Sequence, residues 1–176
     1  MSISLHERSL SISVPLTWRS HRNSIGHGGV CGNTVSPTVS TGLYIQPISA
    51  NGLTLSGNPT LLLDNRGASD DGVVEAPSLV KTAGANGASV YTLFFSSGCF
   101  SSPSYTVNYA TSSSLLGPYT RASAPLMSTG TNGLTAPGGA DVWSDGNHLV
   151  FHAGNLGNRK MYTALVSIGS NGTVTY

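Results

Sequence analysis

The chain has little charge. Lys, Arg, Asp and Glu make up 9% of its 176 residues, against roughly 25% in an average soluble domain. Eight basic and seven acidic residues leave a net charge of +1, so no strong field exists to gather nucleic acid or an anionic membrane surface. Long apolar runs are missing as well, and none approaches the roughly 18 residues that a membrane span needs. Helical periodicity is absent. The first ten residues, Met1-Ser-Ile-Ser-Leu-His-Glu-Arg-Ser-Leu10, contain no continuous apolar stretch, because Glu7 and Arg8 interrupt it. A secretory leader is therefore not visible at this end, which leaves an intracellular protein or a start upstream of Met1.

What the chain does contain is glycine, proline and short β-prone runs. There are 22 glycines and 9 prolines, and apolar residues reach 39%, enough for one sizeable core in a single domain. Runs rich in β-branched and aromatic residues recur between Gly, Asn, Ser and Pro clusters. They predict strands at 43–48, 60–63, 78–81, 89–95, 105–110, 140–143, 148–153, 160–168 and 173–176. Asn51-Gly52, Asn132-Gly133, Asp145-Gly146 and Asn171-Gly172 supply turns, since Asn, Asp and Gly tolerate positive φ. The order strand, turn, strand, third strand occurs at 78–110 and again at 140–176. The expected fold is all-β, built of small antiparallel meanders, as either propeller blades or a flat sandwich. Residues 1–22 form a divergent lead-in, set apart by Arg8, Arg19 and Arg22, and 23–176 form the domain.

Cys31 and Cys99 admit one bridge or two buried thiols. A bridge over 68 residues would contribute roughly 4 kcal/mol in the chain-entropy model. Asn171-Gly-Thr173 is a glycosylation sequon.

Chemistry concentrates around Glu75, in Gly72-Val-Val-Glu-Ala-Pro-Ser-Leu-Val-Lys81. Apolar neighbours on both sides would raise the pKa of a buried carboxyl and keep its proton near neutral pH, as a general acid requires. The alternative is a surface loop carboxylate. Asp64, Asp70 and Asp71 read as a solvated turn, and Asp141 as a turn cap. His152 lies within Leu149-Val-Phe-His-Ala153, where alternation sets it apart from Leu149, Phe151 and Ala153. Ser96, Ser97, Cys99 and Phe100 follow the strand ending at Phe95, where Phe100 and Tyr105 either stack on sugar rings or close the core. No serine has the paired His and Asp that nucleophilic catalysis needs. His27, in Gly26-His-Gly-Gly29, reads as part of a flexible connector, the alternative being a glycine-flanked loop near a substrate mouth.

Seven ordered segments together resemble the second half of glycoside hydrolase family 43: Val74-Glu-Ala-Pro-Ser-Leu-Val-Lys81, Tyr91-Thr-Leu-Phe-Phe-Ser-Ser-Gly-Cys99, Tyr105-Thr-Val-Asn-Tyr-Ala110, Gly117-Pro-Tyr119, Ala136-Pro-Gly-Gly-Ala-Asp-Val142, Val150-Phe-His-Ala153 and Arg159-Lys-Met-Tyr162. Upstream, Asn23-Ser-Ile-Gly-His-Gly-Gly29 and Tyr44-Ile-Gln-Pro-Ile-Ser-Ala-Asn-Gly-Leu-Thr-Leu55 are similar to fungal members. The resemblance implies a five-bladed β-propeller, here in part and about three blades deep, that cleaves arabinan- and xylan-type linkages by inversion. It implies Glu75 as proton donor, with Ser96, Phe100, Arg159 and His152 at the substrate. It also makes His152 a possible channel ligand for calcium, although one imidazole alone is a poor match for an oxygen-seeking ion. No other cofactor is implied.

The family's base aspartate and its pKa-modulating aspartate have no counterparts here. The chain is therefore expected to be an amino-terminally truncated, inactive or weakly active portion. The expected partner is an oligosaccharide or polysaccharide, and the expected state is an extracellular monomer. The competing expectation is a non-catalytic carbohydrate-binding remnant that uses Phe100 or Trp143 as a stacking platform.

Overall fold

A computed structural model of the protein describes residues 31–176 in full and the backbone of a strand at 22–27. The expected lead-in, residues 1–22, lies outside the described residues except for Arg22. Among those described there is no α-helix, and no helix is long and apolar enough to cross a membrane. The strands form antiparallel sheets, three of which are meanders with neighbours in chain order. The first contains β1 (Arg22–His27), β2 (Leu43–Ile48) and β3 (Thr60–Leu63). The second contains β4 (Val74–Ala83), β5 (Ser89–Ser97), β6 (Thr106–Ser112) and β7 (Thr120–Arg121). The third contains β8 (Gly138–Val142), β9 (His148–Ala153) and β10 (Lys160–Leu165). A hairpin of β11 (Ser167–Ile168) and β12 (Val174–Thr175) follows.

Turn chemistry sets these hairpins. Between β8 and β9, the Trp143 N–H donates to the His148 carbonyl at 2.8 Å, and Asp145 Oδ1 accepts the Asn147 N–H at 2.8 Å. Gly146 turns the chain at φ +74°, a conformation that costs a glycine nothing.

The second meander is buried on both faces. Val80, Phe94 and Val107 face the third meander and pack with Leu149, Phe151, Val166 and Val174. Leu79, Leu93, Phe95 and Ala110 face the first and pack with Leu43, Ile45, Leu62 and Leu63. Two-sided burial explains why Leu93-Phe-Phe95 is a continuous apolar run rather than an alternation. The opening strands meet one another: β1 lies against β4, and β4 against β8.

Several expectations are corrected here. Residues 22–27, including His27, form a strand paired to β2 rather than a connector. The expected strand at 160–168 is two strands, divided at Val166. Asp70 is not in a solvated turn: it is 5% exposed and paired at 2.8 Å with Arg121, itself 8% exposed. The Arg121 guanidinium also lies 4.9 Å over the Phe95 ring. Of the two states left open for Cys31 and Cys99, the structure has the disulfide.

Candidate active site

The site begins at an irregularity in β4. Glu75 pairs with Ser96, while Ser78 pairs with Phe94. Three steps on β4 therefore match two on β5, which is a bulge with one extra residue. Ala76 takes the left-handed conformation at φ +50°, and Pro77 contributes no N–H, so neither could sit in a regular ladder. The bulge re-aims Glu75, which is half-buried beside the fully buried Val73 and Val74.

Tyr105 answers it from the chain entering β6. Its hydroxyl donates to Glu75 Oε1 at 2.6 Å, and the side chain is 2% exposed. The phenol ring stacks on the His152 imidazole at 5.7 Å with an interplanar angle of 15°. A Cβ on Gly138 would fall inside the Tyr105 ring, so only glycine lets β8 approach. Burial, reinforced by the Glu75 charge, pushes the Tyr105 phenol far above the usual tyrosine range. It remains a proton donor throughout.

A second bulge mirrors the first. Gly138 pairs with His152, while Asp141 pairs with Val150. Gly139, at φ +60°, donates its N–H to Ser96 Oγ at 2.8 Å, and a Cβ there would come within 2.6 Å of His152 Nε2. Burial first, and the Arg159 charge second, pull the His152 imidazole down to about 4. The ring is therefore neutral at physiological pH, with a buried Nδ1 that has no hydrogen-bond partner. Arg159 donates from Nη2 to the Phe100 carbonyl at 2.6 Å, and its guanidinium lies 5.5 Å from the Phe100 ring centre. Its buried Nε lacks a hydrogen-bond partner.

Glu75, Ser96 and His152 thus meet at Tyr105, while Arg159 acts on His152 by its charge and holds Phe100. One of them, Ser96, plays a part different from expectation. Ser96 is fully buried, so it supports the Gly138–Gly139 strand and does not meet a substrate. Trp143 is 69% exposed but lies at the far end of β8 from Gly138. Sequence reasoning singled out Tyr105 only as a stacking or core aromatic and missed its hydroxyl as the partner of Glu75, since nothing local announces a contact across 30 residues.

The other described carboxylates are occupied. Asp141 is a strand residue rather than a turn cap, and it accepts from Ser78 Oγ at 2.6 Å. Asp71 accepts from Ser104 at 3.3 Å, and Asp145 pairs with His148 at 2.6 Å. Partial burial opposes the Asp64 charge, yet hydrogen bonds from Ser40, Thr41 and Asn65 together hold its carboxyl below the usual range. Calcium takes six to eight oxygen ligands, and no group of three or more His, Cys, Asp or Glu side chains that could hold a metal occurs among the described residues.

The chain is similar in fold to a thermostable family-43 glycoside hydrolase, with 22% identity, a TM-score of 0.74, and coverage of 97% of this chain and 59% of that one. An endo-1,4-beta-xylanase from Bacteroides thetaiotaomicron gives the same four values. An endo-arabinase from the same organism matches at 18% identity and a TM-score of 0.55, covering 84% of this chain and 52% of that one. The chain thus spans 59% of the length of the first two. No curated protein matches it. The family model for glycosyl hydrolases family 43 matches residues 29–173, and the chain belongs to that family.

Proposed function

We propose that this chain is the proton-donor portion of an inverting glycoside hydrolase acting on arabinan- or xylan-type plant polysaccharides. The observation that carries this reading is the half-buried Glu75 carboxyl, aimed by a bulge and gripped by Tyr105 at 2.6 Å. Glu75 protonates the glycosidic oxygen as the C–O bond breaks. A second carboxylate, roughly 6.5 to 9.5 Å away in inverting enzymes, removes a proton from the attacking water. Asp64, Asp70, Asp71, Asp141 and Asp145 are each held by other partners, so we assign that role to none of them. Arg159 and Phe100 flank the sugar, and neutral His152 supports the Tyr105 ring.

The chemistry uses two carboxyl groups and water and needs no cofactor. The wider reading is of residues 23–176 as part of a five-bladed propeller preceded by a lead-in at 1–22, in an extracellular monomer. Abutting opening strands of successive meanders support a radial arrangement.

Release of pentose from arabino- and xylo-oligosaccharides tests the proposal. This chain alone is expected to release little or none. Rapid release abolished by Glu75→Gln would place a base within the chain and overturn that part. Release indifferent to Glu75→Gln would overturn the role of Glu75. Where turnover is measurable, the first-formed anomer seen by proton NMR decides between inversion and retention.

The occupied aspartates also favour a second reading, binding without cleavage. Titration calorimetry with pentose oligomers decides it, and affinity that survives Glu75→Gln is the expected signature.

A further inference from the structure

We infer that Tyr105 is a positioning residue that assigns the transferable proton to Glu75 Oε2. The inference rests on Glu75 being the proton donor. A protonated carboxyl carries a single hydrogen. The Tyr105 hydroxyl donates to Oε1, and the carbonyl oxygen of a carboxylic acid is its stronger acceptor, so this bond favours the form with the hydrogen on the other oxygen. Tyr105 has no freedom to release this grip. It is 2% exposed, with Gly138 against one part of its ring and His152 stacked upon it.

The same bond favours the reaction itself. Before transfer, Tyr105 donates to a neutral carboxyl. As the proton moves from Oε2 to the glycosidic oxygen, the carbon–oxygen bond to the leaving group breaks and negative charge appears on the carboxylate. The Tyr105 hydrogen bond then becomes charge-assisted, roughly twice as strong as a neutral one. An interaction that strengthens along the reaction coordinate raises kcat, while one of constant strength would only lower KM. Tyr105 therefore acts through Glu75 and not on the sugar.

Two measurements test this, and the first needs no turnover. A short, buried tyrosine hydroxyl bond should give a downfield, slowly exchanging proton in the NMR spectrum of this chain. Tyr105→Phe, which keeps the ring against Gly138 and His152, should delete that signal. Glu75→Gln should move it toward the bulk position. Absence of the signal, or its indifference to Glu75→Gln, overturns the inference.

The second measurement uses phenyl and 2,4-dinitrophenyl pentosides with azide. Azide attacks the anomeric carbon without a base, yielding glycosyl azide and the phenol. Phenoxide is a poor leaving group and needs the proton, whereas dinitrophenoxide does not. Glu75→Gln should lower kcat on the phenyl substrates by about 10²-fold or more and leave the dinitrophenyl rates unchanged. Tyr105→Phe should lower the phenyl kcat by about tenfold at unchanged KM, with the dinitrophenyl rates again unchanged. If Glu75→Gln is selective and Tyr105→Phe is not, the Tyr105 inference fails alone. If Glu75→Gln shows no selectivity, the proton-donor reading fails, and Tyr105 with it. If no pentoside is turned over, the proton signal decides.

Discussion

His152 stacks on the Tyr105 ring and feels the Arg159 charge, with Glu75 one hydrogen bond further on through Tyr105. Burial first and Arg159 second lower its pKa from 6.5 to about 4. An unfolded chain takes up that proton near pH 6.5, whereas the folded one resists until about pH 4. Between those values the unfolded state binds more protons, so stability is whole above 6.5 and declines as pH falls toward 4. The melting temperature should drop across this window, and His152→Gln should flatten the drop. A profile identical for both proteins would contradict the burial of this imidazole. Residues of this site differ in how far sequence reveals them. Glu75, His152 and Arg159 stand in short motifs that name them. Ser96 was misplaced because Ser96 and Phe94 share one face of a strand buried on both sides, so an apparent cleft serine is interior. Tyr105 was invisible as a partner for Glu75, because its contact depends on how β8 and the start of β6 converge on the β4 bulge.

Elements defined by turn chemistry were legible, and those defined by pairing were not. The strands at 43–48, 60–63 and 148–153 fall where apolar runs and flanking turns place them. Arg22-Asn-Ser-Ile-Gly-His27 has no alternation to read; it is a strand because β2 offers it a backbone ladder. The start of β4 was hidden differently. Pro77 reads as a strand boundary, but a bulge absorbs a residue with no N–H, so the ladder runs back to Val74. The bulge depends on a small residue at position 76, because φ is +50° there. A β-branched side chain is strongly disfavoured in that region. Ala76→Val should therefore destabilise the fold by about 1 kcal/mol or more beyond the strain that Ala76 already bears, because its branched Cβ crowds the backbone further. Ala76→Gly should be nearly neutral, relief of strain offsetting the greater freedom of glycine in the unfolded chain. Urea unfolding of both variants checks this. Equal stability of Val and Gly at 76 would mean that the backbone does not hold this conformation.

At the scale of the whole molecule, the disulfide ties the chain after β1 to the loop after β5. The loop it closes spans 68 residues and includes all of β2, β3, β4 and β5 together with the Glu75 bulge. Removing it frees the unfolded chain by about 4 kcal/mol in the chain-entropy model. For a protein of this size each kcal/mol shifts Tm by about 2–4 °C, so a Cys31→Ser/Cys99→Ser double variant should melt about 8–16 °C lower. The sequence left bridge and free thiols equally open, because spacing alone says nothing about proximity; approach of β1 to β4 is what brings the two residues together, at a Cα separation of 5.0 Å. The bridge also reaches the site, since Cys99 precedes Phe100, whose carbonyl receives the Arg159 guanidinium. The double variant should consequently bind pentose oligomers more weakly at temperatures well below its own melting point, and calorimetry at such a temperature separates this loss from unfolding. A variant that melts lower but binds as the parent does would assign the disulfide to stability alone and leave the Arg159–Phe100 contact to hold the loop without it.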